Sequence, residues 1–465
     1  MDVRGKRVVV MGLGSFSGGV TAARFMALRG ARVVVTDLAG PEKLRESIAA
    51  LSDVRIEAFH LNGHWEPDFQ TADLVIASPA VREDDRFLAI AWAHGAEITT
   101  EMNLFFQLCP ARVAGVTGSN GKSTTAAMIH AMLNAAGKTC WLGGNIGQSL
   151  LDRVHEIRRQ DIVVLELSSF QLEDLNDIRR SPHIALVTTF TPNHLDRHAS
   201  LQTYRDAKQS ILRHQSPDQD VAILNADDPD VRKWRTVCRT LYYGLEDHGL
   251  EGSFYDRDRL VLRSHGVERE FHLADVVRLP GTHNLSNAAG AACCANAMGV
   301  EADSIRAALW SFRTLPHRLE PVLELEGRQF YDDSIATTPE STLAALEAID
   351  RPIWLIAGGY DKGLDLNQVA LKIADLVRGV ALIGQTAPSL NRLLRETRPP
   401  QEPLICEAAS MEEAVEWCYA NSRAGDAILL SPACASFGMF QNFVHRAEVY
   451  RQAVDRLRWL GRKAG

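Results

Sequence analysis

With 465 residues, the chain is long enough for about three domains of ordinary size. Its hydrophobic content of 46% and charged content of 23% are typical of a soluble globular protein, and its net charge of −8 argues against non-specific binding to nucleic acid. No apolar run approaches the roughly 20 residues of a membrane-spanning helix, and the N-terminal apolar run leads into a glycine turn rather than a signal-peptide pattern. The eight cysteines lack metal-binding spacing. We therefore expect a cytoplasmic protein with neither a membrane nor a nucleic-acid partner.

The chain begins with the pattern of a Rossmann-like unit. Residues 7–20 form an apolar run, a glycine turn and the start of a helical pattern, and a second strand ends at Asp37. In such units a nucleotide phosphate binds at the glycine turn. The spacing in GLGSFSGG is looser than GxGxxG, so a turn that only packs the helix on the sheet is the alternative. Further strands are predicted at 54–59 and 73–77, helices at 84–94 and 99–108, and a domain boundary at 109–110.

The segment TGSNGKST at Thr117–Thr124 is typical of a phosphate-binding loop. An apolar strand at 112–116 precedes it and a helical pattern follows it. Its two glycines let backbone N–H groups surround an anion, and the helix N-terminus adds partial positive charge. Lys122 is placed to bind the β- and γ-phosphates of ATP, and Ser123 to ligate Mg²⁺. The standard motif has glycine where this chain has Val116, but strand, loop and helix are in register, so we predict nucleotide binding.

Polar side chains are predicted at the ends of the next two strands of this domain. The apolar run at 161–166 ends in Glu166, and the next apolar run leads to NHLDRH, which contains His194. In an open α/β sheet, ligands bind at the carboxyl ends of the strands, so both segments are candidates for Mg²⁺ or substrate binding. A solvated polar loop is the alternative interpretation of NHLDRH. The helix that follows carries Tyr204 and Lys208, four residues apart.

The rest of the chain is predicted to hold edge strands, a small-residue helix and a further α/β domain. The edge strands are expected within 239–270, the helix at 281–299, and the last domain's strands at 329–332, 352–359, 379–384 and from Ala427, before a long amphipathic helix. We therefore predict an α/β fold with three domains. They are a Rossmann-like N-terminal domain at 1–109, a central P-loop ATPase α/β domain at 110–314 and a Rossmann-like C-terminal domain at 315–465.

In combination, these motifs resemble the Mur ligases of peptidoglycan synthesis. The matching segments follow the family's order over nearly the whole chain: TGSNGKST, GGNIG, ELSSFQLE, NHLDRH, HNLSNAAGA, LPHRLE, DDSIATTP and SPACASF. The resemblance implies an N-terminal domain for a UDP-sugar, a central ATPase domain and a C-terminal domain that brings the amino acid and closes over the site. It implies an ATP-dependent ligase that joins glutamate to UDP-N-acetylmuramoyl-L-alanine through an acyl phosphate. We expect it to act as a monomer.

The resemblance also implies roles for individual residues. The ATP-binding residues are Gly118, Ser119, Asn120, Gly121, Lys122, Ser123, Thr124, Asn284, Asn287, Arg318 and Asp333. The residues for the UDP-substrate are Ser15, Asp37, Ser78, Pro79, Asn145 and His194, and those for glutamate are Thr337, Lys362, Ser436 and Phe443. The catalytic residues are Lys122, Glu166, His194 and Lys208. Two Mg²⁺ sites are implied, one with Ser123 and Glu166, the other with His194 and a carbamylated Lys208.

Several alternatives remain open from the sequence. Ile335 stands where the family often has lysine, and Phe437 follows SPACAS where leucine is common, so the resemblance favours D-glutamate but leaves L-glutamate open. Within the ligase class, a folylpolyglutamate synthase or a neighbouring Mur ligase is the nearest rival. A dinucleotide-dependent oxidoreductase would explain the first glycines and Asp37, but not Lys122 and Glu166. A non-catalytic ATP switch would not need polar residues at strand ends in three domains.

Overall fold

The computed structural model of the protein describes residues 1–14, 17–79, 81–146, 149–192, 198, 200–264, 266–272, 281–313, 316–361, 365–397 and 403–463. The chain divides into two compact units. Unit 1 consists of Met1–Val277 and Ser286–Ser311, and unit 2 consists of Arg278–Leu285 and Phe312–Gly465. Every helix among the described residues is too short or too polar to span a lipid bilayer.

Five parallel strands form the first sheet of unit 1. They are β1 Arg7–Met11, β2 Arg32–Asp37, β3 Ala58–Leu61, β4 Leu74–Ala77 and β5 Glu97–Thr100. The helices between and after them are α1 Ser17–Leu28, α2 Arg45–Ala49, α3 Glu66–Gln70, α4 Arg86–Ala93 and α5 Glu101–Leu108. The strand order is β3-β2-β1-β4-β5. The chain therefore reverses its winding between β1 and β4, which creates a crevice at the carboxyl ends of these two strands.

Nine strands form the second sheet of unit 1. They are β6 Arg112–Thr117, β7 Cys140–Gly144, β8 Ile162–Glu166, β9 Ile184–Val187, β10 Val221–Asn225, β11 Arg239–Tyr243, β12 Gly252–Asp256, β13 Arg259–Ser264 and β14 Val267–His272. The helices are α6 Lys122–Ala135, α7 Ser169–Asp177, α8 Leu201–Arg213, the 3₁₀ helix Val231–Lys233, α9 Thr282–Ala297, of which the first turn belongs to unit 2, and α10 Ala302–Ser311. The order is β14-β13-β12-β11-β10-β9-β6-β8-β7, and only β12, β13 and β14 pair antiparallel among these strands. The phosphate-loop strand β6 thus lies between β8 and β9.

Six strands form the sheet of unit 2. They are β15 Glu320–Leu325, β16 Arg328–Asp332, β17 Ile353–Gly358, β18 Val377–Ile383, β19 Leu404–Glu407 and β20 Ala427–Leu430. The helices are α11 Pro339–Ala348, α12 Asn367–Leu376, α13 Ala387–Thr397, α14 Met411–Asn421 and α15 Phe443–Lys463. The order is β15-β16-β20-β17-β18-β19, with β15 antiparallel to β16 and the other pairs parallel.

Each unit is stabilised by buried apolar side chains on its sheets. In unit 1, one continuous cluster includes Val8 of the first sheet and Val113 of the second. In unit 2, two clusters cover opposite faces of the sheet, and neighbours in β17 such as Leu355 and Ile356 belong to different clusters. This alternation follows from the two-residue period of a strand, because successive side chains point to opposite faces.

The predicted α/β class is confirmed by the three sheets, and the errors in the predicted strands lie at sheet edges. The strand predicted at 54–59 is β3 at Ala58–Leu61, and β15 and β19 were not predicted. The helix predicted from Thr99 begins at Glu101, because Thr99 and Thr100 belong to β5 and the Thr100 side chain accepts a hydrogen bond from the backbone N–H of Asn103. All four strands are at the ends of their sheets, where burial is partial and the apolar pattern is weak. The domain boundaries at 109–110 and 314–315 stay predictions.

Gly19 of α1 should not tolerate a side chain, whereas its neighbour Gly18 should. A Cβ on Gly19 would lie 2.5 Å from the backbone oxygens of Gly12 and Leu13. A Cβ on Gly18 meets no described atom within 4 Å. We expect Gly19→Ala to lower the free energy of unfolding by about 2 kcal/mol, because α1 must move off the glycine turn. Gly18→Ala should be neutral or stabilising by up to about 1 kcal/mol, since alanine favours a helix.

Denaturant titration of the two variants against the wild type measures this difference. Equal stabilities would contradict the close packing of α1 on the turn after β1.

Candidate active site

The loop between β6 and α6 has the geometry of a phosphate-binding loop. Gly118 has φ +144° and Gly121, which precedes the first residue of α6, has φ +83°. A non-glycine residue rarely adopts either conformation. Val116 is fully buried inside β6 and pairs with Glu166 of β8. The standard motif has glycine at position 116, but in this chain Val116 is still part of the strand. The turn begins at Gly118.

The end of β9 holds this loop in place. The Thr188 hydroxyl donates to the carbonyl oxygens of Asn120 at 2.5 Å and Thr117 at 3.1 Å. The backbone N–H of Ser119 donates to the carbonyl of Thr189 at 2.7 Å, and that of Asn120 to the Thr189 hydroxyl at 3.2 Å. Sequence reasoning missed both threonines, and the available signal was a polar Thr-Thr pair directly after a buried strand. The loop conformation is thus fixed by residues outside the motif.

Two lysine side chains converge on one carbonyl of the loop. Lys122 donates to the carbonyl oxygens of Gly118 at 3.0 Å and Ser119 at 2.9 Å, and Lys208 of α8 donates to that of Gly118 at 2.8 Å. Lys208 is 2% exposed. Burial lowers the pKa of Lys208 well below its ordinary value, the charge of Lys122 lowers it further, and the charge of Glu166 opposes the shift. This amine therefore loses its proton far more readily than an exposed lysine.

Glu166 presents a buried carboxylate at the end of β8. It is 2% exposed, and its Oε1 accepts a hydrogen bond from the Asn145 side chain at 3.1 Å. Its Oε2 has no hydrogen-bond partner among the described residues. The turn after β7 is shaped around the same residue, because Asn145 N–H donates to the Glu166 carbonyl and a Cβ on Gly144 would lie 2.2 Å from that oxygen. An unpartnered buried carboxylate oxygen is suited to a cation.

The remaining predicted residues of this region lie in α6 and α9. Ser123 is partly exposed in the first turn of α6, whereas the Thr124 side chain is buried. The Oδ1 atom of Asn287 accepts from Thr125 at 3.3 Å and lies 2.3 Å from where a Cβ on Gly121 would be. Asn284 is in the first turn of α9. The prediction for His194 falls outside the described residues.

The glycine turn of the first sheet is tied to Asp37 and Ser78. Asp37 is 8% exposed at the end of β2, and its carboxylate accepts the backbone N–H groups of Gly14 at 2.9 Å and Ala39 at 2.7 Å. A Cβ on Gly12, which has φ +92°, would lie 2.7 Å from the Cβ of Ser78. Ser78 and the partly buried Pro79 directly follow β4. Gly12 follows β1 and Ser78 follows β4, so both lie at the carboxyl ends of the two strands that border the crevice, while Ser15 lies outside the described residues.

In unit 2, the structure brings Arg318 and Asp333 together. The buried Asp333 carboxylate accepts from the Leu319 backbone N–H at 3.1 Å and the Ser431 hydroxyl at 2.7 Å. Burial raises the pKa of Asp333 to about 7, against the opposing effects of the Ser431 hydrogen bond and the Arg318 charge. The Nε atom of Arg318 is buried without a hydrogen-bond partner among the described residues.

Arg446 of α15 joins the two segments that carry predicted glutamate-binding residues. It is fully buried and donates to the carbonyl oxygens of Ser334 at 2.7 Å and Cys434 at 3.0 Å. Ser334 in turn donates to the Phe443 carbonyl at 2.7 Å. The segments of Thr337, Ser436 and Phe443 are therefore neighbours, whereas Lys362 lies outside the described residues. Sequence reasoning missed Arg446, because a helix pattern does not show which residue points inward at its first turn.

Comparison with known proteins places the chain in a family. Residues 116–295 match the Mur ligase middle domain, and residues 317–434 match the Mur ligase, glutamate ligase domain. The UDP-N-acetylmuramoylalanine–D-glutamate ligase of Roseiflexus sp. (strain RS-1) is 44% identical over 467 residues, which cover 98% of this chain and 99% of that protein. The protein of the same name from Symbiobacterium thermophilum is 39% identical, with 97% and 98% covered. The chain belongs to the Mur ligase family.

Solved structures share the fold of this Mur ligase. UDP-N-acetylmuramate-alanine ligase MurC of Thermotoga maritima has a TM-score of 0.64 at 18% identity, with 97% of this chain and 99% of that chain covered. MurF ligase of Thermotoga maritima, solved in complex with ADP, has a TM-score of 0.60 at 17% identity, with 97% and 98% covered. The resemblance inferred from the motifs is thus confirmed, and the oxidoreductase alternative is removed.

Gly118 should be essential for the conformation of the phosphate-binding loop in this Mur ligase. A Cβ there would lie 1.8 Å from the Thr188 hydroxyl oxygen and 2.9 Å from the Thr189 backbone nitrogen, in a backbone conformation unsuited to alanine. We expect Gly118→Ala to weaken ATP binding at least about tenfold, because the loop N–H groups lose their common direction. Gly137 is the matched control, since it also has positive φ, +71°, but a Cβ there meets no described atom within 4 Å.

Titration of a fluorescent ATP analogue into both variants measures the effect. Normal nucleotide affinity in Gly118→Ala would show that the loop is not the phosphate site.

Proposed function

We propose that this Mur ligase joins D-glutamate to UDP-N-acetylmuramoyl-L-alanine and converts ATP to ADP and phosphate, acting as a monomer in the cytoplasm. The observation that carries the proposal is the convergence of Lys122 and Lys208 on the Gly118 carbonyl, with the buried Glu166 close enough to act on the charge of Lys208. Such a cluster on a phosphate loop suits transfer of a phosphoryl group. Support for the substrates comes from the names of the relatives that match over nearly the full chain.

In this proposal the phosphate loop and Lys122 bind ATP. The N–H groups of the loop and the N-terminus of α6 face the phosphates, and the Lys122 ammonium neutralises their charge. Asn284 and Asn287 are assigned to the adenosine side of the nucleotide, and Arg318 and Asp333 are assigned to ATP binding. The roles of the last four residues rest on the motif resemblance.

The residues present fit a magnesium ion. The Ser123 hydroxyl and the unpartnered Oε2 of Glu166 are hard oxygen donors, which Mg²⁺ prefers. When bound, the ion would neutralise charge on the phosphate oxygens. A second site with His194 and a carbamylated Lys208 is part of the proposal. Lys208 is suited to carbamate formation, because its lowered pKa makes the neutral amine available at a lower pH than in an exposed lysine. The neutral amine can add carbon dioxide and release a proton.

The proposed reaction has two steps, and the protein contributes position and charge to both. The alanyl carboxylate of the UDP-substrate attacks the γ-phosphorus of ATP, and ADP leaves. The amine of glutamate then attacks the acyl phosphate, loses a proton and displaces inorganic phosphate. No protein nucleophile is required, so catalysis depends on alignment of the reacting groups and on neutralisation of the phosphate charge.

The substrate contacts follow the same proposal. Ser15, Asp37, Ser78, Pro79, Asn145 and His194 bind the UDP-substrate, and Thr337, Lys362, Ser436 and Phe443 bind glutamate. The crevice around Asp37 and Ser78 supports the first assignment. The Arg446 hydrogen bonds, which connect the glutamate-binding segments, support the second.

A panel of amino acids tests the proposed substrate pair. Phosphate release should require ATP, Mg²⁺ and UDP-N-acetylmuramoyl-L-alanine together, and D-glutamate should be used in preference to L-glutamate. Both enantiomers of glutamate, aspartate and alanine should be compared by coupled phosphate assay, with mass spectrometry of the product. Selective use of L-glutamate would refute the stereochemical assignment, and absence of turnover with every amino acid would refute the ligase assignment.

Lys208 provides a second prediction of this mechanism. Lys208→Ala should lose nearly all ligase activity, because an anionic oxygen ligand is lost along with the side chain. Short carboxylic acids such as formate or acetate should restore part of the activity by supplying that oxygen. The exposed Lys233 gives the matched control, and Lys233→Ala should remain active without added acid.

Depletion of carbon dioxide should slow the wild type reversibly. A Lys208→Ala enzyme that is fully active without added carboxylate would contradict the carbamate.

A further inference from the structure

The backbone on both sides of Arg318 is in the left-handed region at residues that are not glycine. φ is +64° at His317 and +43° at Leu319. Side chains disfavour this conformation, so it persists only where the surrounding contacts enforce it. The direction of the Arg318 side chain therefore depends on the groups that hold its two neighbours.

Hydrogen bonds to acidic side chains hold these neighbours. The backbone N–H of His317 donates to Oε2 of Glu320 at 2.8 Å, and the His317 ring Nδ1 lies 2.8 Å from Oδ2 of Asp332. On the other side, the N–H of Leu319 donates to Asp333 at 3.1 Å. The left-handed conformation at His317 is thus fixed by two carboxylates, one acting on its backbone and one on its ring.

Arg451 of α15 binds both carboxylates that hold His317. Its guanidinium donates to Oε2 of Glu320 at 2.6 Å and to Oδ2 of Asp332 at 2.9 and 3.1 Å. Ligand atoms of His317, Glu320 and Asp332 lie within 4.8 Å of one another. Two carboxylates at such a distance repel each other, and the Asp332 side chain is fully buried, so both need a positive partner to stay in place. The forked guanidinium supplies it and occupies oxygens that a metal ion would need.

We propose that Arg451 is a positioning residue for Arg318. By keeping the carboxylates of Glu320 and Asp332 together, it keeps His317 in its strained conformation and thereby sets the direction of the neighbouring arginine. Arg318 needs such support, because its buried Nε has no hydrogen-bond partner among the described residues. The inference rests on the proposed function, in which Arg318 acts on ATP.

Removal of the guanidinium tests the proposal in the full-length enzyme. Arg451→Met should raise the KM for ATP by about tenfold, whereas the KM for glutamate should change by less than about twofold. Arg451→Lys should recover part of the loss, since an ammonium group can still bridge the carboxylates. Arg456→Met is the matched control, because Arg456 is exposed on the same helix, and it should behave as wild type.

A double-variant cycle separates positioning from a general structural role. In an Arg318→Ala background, Arg451→Met should cause no further change in the KM for ATP, because the side chain through which it acts is gone. A full, additive loss in that background would overturn the proposal, and so would a normal KM for ATP in either single variant. If Arg451→Met does not fold, Glu320→Ala enters the same cycle, since it removes the acceptor that holds the His317 N–H and should raise the KM for ATP in the same way.

The wild-type measurements keep the two proposals distinct. A wild type that does not ligate glutamate refutes the proposed function, whatever the cycle shows. If the wild type ligates glutamate but the effects of Arg318→Ala and Arg451→Met on the KM for ATP are additive, only the role of Arg451 is refuted.

Discussion

The carbonyl oxygen of Gly118 accepts hydrogen bonds from two lysines, and the candidate nucleotide site depends on this convergence. Two ammonium groups at one carbonyl are unfavourable unless the fold forces them together or an anion compensates them. Here α6 contributes Lys122 from its first turn and α8 contributes the buried Lys208. The cost falls on Lys208, whose pKa is lowered mainly by burial and then by Lys122. The arrangement brings two lysine side chains to the loop and makes Lys208 easier to deprotonate than an exposed lysine.

Acidic side chains at the ends of parallel strands recur in all three sheets. Asp37 ends β2, Glu166 ends β8 and Asp332 ends β16. Each is at most 8% exposed and accepts a hydrogen bond from a nearby loop: Asp37 from the backbone of the glycine turn, Glu166 from the Asn145 side chain and Asp332 from the Ser334 backbone. Loops at this edge carry N–H groups without strand partners, and a carboxylate oxygen can accept their hydrogen bonds. The same feature therefore shapes the loops and supplies the groups that can meet a ligand.

Two arginines on α15 organise the loops of unit 2 in different ways. Arg446 is fully buried and binds carbonyl oxygens, so its charge is solvated by peptide dipoles, and burial lowers its pKa to about 10. Arg451, about one and a half turns later, binds the carboxylates of Glu320 and Asp332. One helix thus fixes both the segments proposed to bind glutamate and the segment that contains Arg318. A long helix suits this role, because the hydrogen bonds of its own backbone keep its side chains in a fixed relative position.

The sequence by itself determined the family, the α/β class and the phosphate loop, because these depend on local patterns: apolar strands, glycines where φ is positive, and a Gly-Lys-Ser at a helix start. It also predicted that Glu166 and Lys208 belong to the site, through the order of the motifs. It did not determine the edge strands β3, β5, β15 and β19, whose half-exposed residues pair only because a neighbouring strand is present. Nor did it reveal Thr188, Arg446 or Arg451, since their partners are remote in the chain. Only the tertiary structure decided which polar groups meet, because a hydrogen bond requires a direction and a distance that composition and spacing do not contain.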